Sequence, residues 1–155
     1  MEAQNRRVAG ISYHSFFENL TADIQSSDLR LQESIEYLRN LQKPNLLEIY
    51  KAGFPEWFFK VEVDGVVREG RVDLWGVVDD TLWVIDYKTG SSYFSQAAFE
   101  QMAFYAEVLS DKRSQLNFKS VQLAAIYPVE KKCLIEEWSG GLKVSHPVHP
   151  ENQIR

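Results

Sequence analysis

Apolar residues between about Ser12 and Leu41 recur mostly at intervals of three or four: Phe16, Phe17, Leu20, Ile24, Leu29, Leu31, Ile35, Tyr37, Leu38 and Leu41. That period predicts two helices, broken near Ser26-Ser27-Asp28, where Ser27 or Asp28 can cap the second. Pro44 ends the region, and Asn45 to Gly53 suits a short helix that stops at the glycine. The period then changes to two. Trp57 to Val63, Gly70 to Val78 and Leu82 to Tyr87 read as strands, with turn residues Asp64-Gly65 and Asp79-Asp80-Thr81 between them. Helical spacing returns from Phe94 to Leu109, and two further strands, Val121 to Tyr127 and Cys133 to Trp138, flank Pro128-Val129-Glu130-Lys131-Lys132. From about residue 140 the chain carries proline and histidine and is expected to be irregular. Helices, three strands, a helix and two strands predict one domain over 1–155 with a mixed sheet flanked by helices, the α/β or α+β class.

The second and third strands place specific chemistry. With Asp79-Asp80 at the centre of their turn, Asp73 falls directly opposite Asp86, and Lys88 shares the face of Asp86 while Tyr87 points away. Opposed positions bring Cβ atoms to about 4.5–5.5 Å, where like charges destabilise the pair. A divalent cation between the two carboxylates would compensate. The flanking Val72, Leu74, Val84 and Ile85 mark these strands as buried on at least one side, where unpaired charge is costly. A turn shifted by one residue would move Asp73 to the other face.

Composition narrows the options. The chain has 155 residues, 45% hydrophobic and 25% charged, enough for one core. Its single cysteine, Cys133, leaves no internal disulfide, four-cysteine zinc site or iron–sulfur cluster. No apolar run approaches the roughly 20 residues that span a bilayer, and the start lacks a signal-peptide pattern, so a cytoplasmic protein without membrane attachment is expected. A net charge of −5 opposes strong autonomous nucleic-acid binding, unless acidic residues lie outside the cleft, a cation reverses the local sign or another domain delivers the strand. There is no Gly-rich phosphate loop, no GxSxG and no Cys/His nucleophile pair, hence no nucleotide site.

Other polar residues are ambiguous on spacing alone. Gln101 and Tyr105 stand four apart on the last helix and can together hold a water, carboxylate or phosphate oxygen; the commoner arrangement is a buried tyrosine with a solvent-facing glutamine. Phe99, Met102, Ala103 and Ala106 form the face expected to bury against the sheet. Arg71 shares the face of Asp73 and can contact a phosphate or pair with an acidic neighbour. Trp75 and Trp83 read as packing residues, and His14 alone as a packing or surface residue.

In order, Asp73, Asp86-Tyr87-Lys88 and Gln101-x-x-x-Tyr105 resemble the motifs of the PD-(D/E)XK nuclease superfamily, specifically its RecB-like branch. Gly10 followed four residues later by His14 is similar to the branch's opening signature. Val72 stands where the motif's proline would be. The resemblance implies a restriction-endonuclease-like sheet and a Mg²⁺ or Mn²⁺ ion held by His14, Asp73, Asp86 and the Tyr87 main-chain carbonyl. It also implies that Lys88 acts on water and phosphate, that Gln101 and Tyr105 brace the site, and that Arg71, Thr89, Gln101 and Tyr105 touch DNA. The activity implied is phosphodiester hydrolysis by an exonuclease domain like that of the RecB and AddA helicase–nucleases of double-strand break repair and recombination, acting on single-stranded DNA beside a helicase domain or subunit. A stand-alone phage or repair nuclease is the alternative in the same chemistry, and a non-catalytic DNA- or protein-binding module the alternative outside it.

Overall fold

A computed structural model describes residues 29–111 and 115–140. The elements follow the order read from the sequence: α1 (Leu29–Asn40), α2 (Leu46–Ala52), β1 (Phe54–Val63), β2 (Val66–Val78), β3 (Thr81–Tyr87), a 3₁₀ turn (Ser92–Phe94), α3 (Ser95–Leu109), β4 (Ser120–Tyr127) and β5 (Lys132–Trp138). The predicted first helix and its junction with the second, like His14 and the tail after Gly140, lie outside the described residues.

The strands form one sheet in chain order. All neighbours are antiparallel except β3 and β4, which are parallel and joined through α3. Both hairpins turn on two residues with positive φ, Asp64-Gly65 at 52° and 80° and Asp79-Asp80 at 51° and 65°, as the tight turn that matches strand twist requires. The second turn fixes the register expected from the sequence, Val78 pairing with Thr81 and Leu74 with Ile85, and the pairing ends there, one residue short of Asp73 and Asp86.

Helices cover both faces. Ala98, Phe99, Met102, Tyr105, Ala106 and Leu109 of α3 bury against Val72, Val84, Leu123 and Ala125. On the opposite face Ile35 and Leu38 of α1 and Leu46 and Ile49 of α2 pack on Leu74, Ile85, Tyr87, Ala124 and Ile126. The result is the mixed sheet flanked by helices of the restriction-endonuclease-like class. Trp75 and Trp83 are buried packing residues, one on each side. Asn45 caps α2 by accepting the Glu48 N–H at 3.1 Å. Gly53 does end α2, but not through a left-handed turn, since its φ is −136°. A side chain there would collide with the Trp75 carbonyl oxygen, and one on Gly76 would come within 2.7 Å of the Ile49 carbonyl oxygen. The backbones of α2 and β2 meet directly at these two glycines. Among the described residues no helix is long and apolar enough to cross a membrane.

Candidate active site

β2 departs from strict alternation at Asp73. Val72 belongs to the core on the α3 side and Leu74 to the core on the other. β1 bends beside it: the pairing runs from Pro55↔Leu74 to Trp57↔Val72 and omits Glu56, which would face Asp73 and whose φ is 48°. Beyond Leu74↔Ile85 the pairing of β2 with β3 also stops. Glu56, Asp73 and Asp86 therefore occupy corresponding positions on three adjacent strands, where regular pairing gives way.

Asp73 and Asp86 are buried, 5% and 6% exposed. Asp73 Oδ2 accepts the Tyr87 main-chain N–H at 2.8 Å. Burial holds the Asp73 carboxyl well above the usual carboxylate range; the neighbouring Asp86 charge and a hydrogen bond with Asp86 raise it further, against the Tyr87 N–H and Arg71. Lys88 Nζ lies 3.1 Å from Asp86 Oδ2, although off the axis of a hydrogen bond, so that oxygen is buried without one. The Thr89 hydroxyl is likewise buried with no hydrogen-bond partner. Arg71 stands between two acids, Nη2 3.9 Å from Asp73 Oδ1 and Nη1 3.9 Å from Glu56 Oε1.

The two helical candidates separate. Tyr105 is buried, its ring edge-on to Phe59 at 5.6 Å and close above Gly70, where a Cβ would come within 3.1 Å of it. Burial, then the Asp86 and Asp73 charges, push its phenol up to about 12, so it stays protonated beside the carboxylates. Gln101, one turn earlier, is exposed. Tyr105 thus joins the face with Phe99, Met102 and Ala106 that buries against the sheet.

Glu56 lies outside the strand that the sequence pattern predicts, which starts at Trp57, whereas β1 starts at Phe54. The signal was present: counting back from the Asp64-Gly65 turn, as from Asp79-Asp80, sets Glu56 opposite Asp73. Past Lys88, the 3₁₀ turn exposes Tyr93 and Phe94, 84% and 69% exposed, with rings edge-on at 4.9 Å. Ser91 Oγ accepts the Tyr93 N–H, and the Ser92 hydroxyl donates to Glu130 at 2.7 Å, tying this turn to the β4–β5 connection.

The sequence model of the PD-(D/E)XK nuclease superfamily matches residues 18–149, most of the chain. The chain belongs to that superfamily. No curated protein matches it. A solved structure titled "Crystal structure of SSO0001" is similar at 16% identity and a TM-score of 0.38, over 86% of this chain and 61% of that one, a likeness too loose to bear on fold or site.

PD-(D/E)XK nucleases typically use Mg²⁺ or Mn²⁺, and the Asp73–Asp86 pair suits such a hard ion: two oxygen donors that repel one another, in a setting where burial penalises their charge. Among the described residues no three His, Cys, Asp or Glu side chains converge as a metal-binding group.

Proposed function

We propose that this chain is a Mg²⁺- or Mn²⁺-dependent deoxyribonuclease domain spanning 1–155, of the RecB-like branch. It acts in the cytoplasm as the exonuclease unit of a helicase–nuclease that processes double-strand breaks. The observation that carries the reading is the convergence of Asp73, Asp86 and Lys88 at the end of the β2–β3 pairing. The ion would be held by Asp73, Asp86, the Tyr87 main-chain carbonyl and His14, and would there neutralise phosphate charge and lower the pKa of water.

The chain's own groups do the remaining work. The Lys88 ammonium, fixed by Asp86, binds a non-bridging phosphate oxygen and orients the attacking water. Tyr105, protonated at any physiological pH, stands beside the carboxylates and braces that end of β2 through a hydrogen bond with the Arg71 backbone. Arg71 and the exposed Gln101 contact the DNA backbone, and the Arg71 charge partly offsets the unfavourable net charge. Exposed Tyr93 and Phe94 support a single-stranded substrate, because unpaired bases offer π faces that a duplex conceals. A helicase partner is supported by the acidic balance, which favours delivery of the strand by another unit.

Digestion of end-labelled single- and double-stranded DNA with Mg²⁺ or Mn²⁺ tests the proposal. Asp86→Ala is expected to stay folded, lose nearly all activity and lose cation binding. Lys88→Ala is expected to lose activity but retain most cation binding, since its role is toward water and phosphate. Cleavage by Asp86→Ala at the parent's rate would sink the assignment, and a parent that neither cuts DNA nor binds either ion would instead be a binding module.

A further inference from the structure

Glu56 is a carboxylate in an awkward place. Its backbone has the positive φ that non-glycine residues rarely adopt, and its Oε2 is buried with no hydrogen-bond partner. Backbone strain with an unsatisfied polar atom is what a fold retains where a position serves the site rather than packing. The other oxygen, Oε1, faces the Arg71 guanidinium at 3.9 Å, and that guanidinium faces Asp73 Oδ1 at the same 3.9 Å. Both distances exceed the roughly 2.7–2.9 Å of a charge-assisted hydrogen bond, so the cation is shared at equal range and closed on neither acid.

The oxygen concerned matters. Asp73 Oδ2 already accepts the Tyr87 N–H, which leaves Oδ1 as the more available donor for a cation. An arginine beside a buried aspartate ordinarily closes onto it, often through two hydrogen bonds. Closure here would set Arg71 in competition with a divalent ion for Oδ1. A second carboxylate on the far side of the guanidinium opposes that closure.

We infer that Glu56 is a positioning residue that holds Arg71 off Asp73 and so keeps the Asp73 carboxylate open to a divalent cation. The inference rests on the proposed ion site, and it is tested by calorimetric titration of Mn²⁺ into the intact chain without DNA, for the parent, Glu56→Gln, Arg71→Gln and the double variant, with Asp86→Ala as reference. Glu56→Gln is expected to weaken Mn²⁺ binding about fivefold, the scale of one partly exposed ion pair. The double variant, in which both the competitor and its restraint are gone, recovers parental affinity within about twofold, and Arg71→Gln alone binds no more weakly than the parent. A role confined to stability would lower the melting temperature of Glu56→Gln without this recovery. Unchanged affinity in Glu56→Gln overturns the inference. So does a double variant as weak as Glu56→Gln, which would make Glu56 itself a ligand, or weakened binding by Arg71→Gln. Failure of the underlying reading looks different: the parent takes up no Mn²⁺, or Asp86→Ala binds it as the parent does, and both claims then fall.

Discussion

At the scale of single residues, the most consequential property is the raised pKa of Asp73. Its causes are burial and the Asp86 charge, and the folded state therefore retains a proton that the unfolded chain, with an ordinary carboxyl pKa of about 4, has released. Between those two values the folded state binds more protons, so this group's contribution to stability falls as pH rises through the raised pKa. Urea unfolding in EDTA should show that loss, and Asp73→Asn, which cannot titrate, should lack it; an unchanged slope in the variant would assign the titration elsewhere. Cation binding, which needs the carboxylate, should strengthen over the same pH range. That Asp73, Asp86 and Lys88 would lie together was legible from the two-residue turn, which sets the register as far as Leu74 and Ile85; the break in alternation at Asp73 was not. Glu56 was not, because a strand whose first residues are Phe-Pro-Glu gives a weak starting signal. Gln101 and Tyr105 could not be separated by spacing, since a four-residue interval places two residues on one side of a helix without saying which of them the sheet covers.

Elements were the most legible scale. The described strands and α-helices were anticipated within a few residues, most of them through the punctuation of Pro44, Asp64-Gly65, Asp79-Asp80 and Pro128, whereas the 3₁₀ turn Ser92–Phe94 was not. What punctuation could not convey is why Gly53 is glycine. Its apparent role was to stop a helix, whereas the close approach of α2 to β2 excludes any side chain. Gly53→Ala is accordingly expected to lose about 3 kcal/mol in urea unfolding, at the upper end of the cost of overpacking, because the obstacle is backbone and cannot rotate away. Gly90→Ala, whose added methyl meets nothing within 4 Å, should change stability by less than about 0.5 kcal/mol. Equal effects of the two substitutions would contradict the proposed packing.

At the scale of the whole molecule, a net charge of −5 must be reconciled with a polyanionic substrate, and stacking offers affinity that charge does not. Tyr93 and Phe94 are held on a turn anchored to the β4–β5 connection through Ser92 and Glu130, so the rings are presented with little freedom to lose on binding. Replacing both by alanine should weaken single-stranded DNA binding by about tenfold or more, as expected for losing one to two stacked bases, with duplex binding changed much less. Fluorescence anisotropy of labelled oligonucleotides measures both, and equal losses on the two substrates would argue against a stacking role. The molecule's long-range mechanics follow from its two opposed glycines. Where Gly53 crosses Gly76 the two backbones touch with no side chain between them, hence no rotamers to adjust at that point. Gly76 lies three residues from Asp73 on the same strand. A push on α2 from outside the domain would thus reach the carboxylates as movement of the strand itself, making this joint a direct route by which a docked neighbour could alter the spacing of the site.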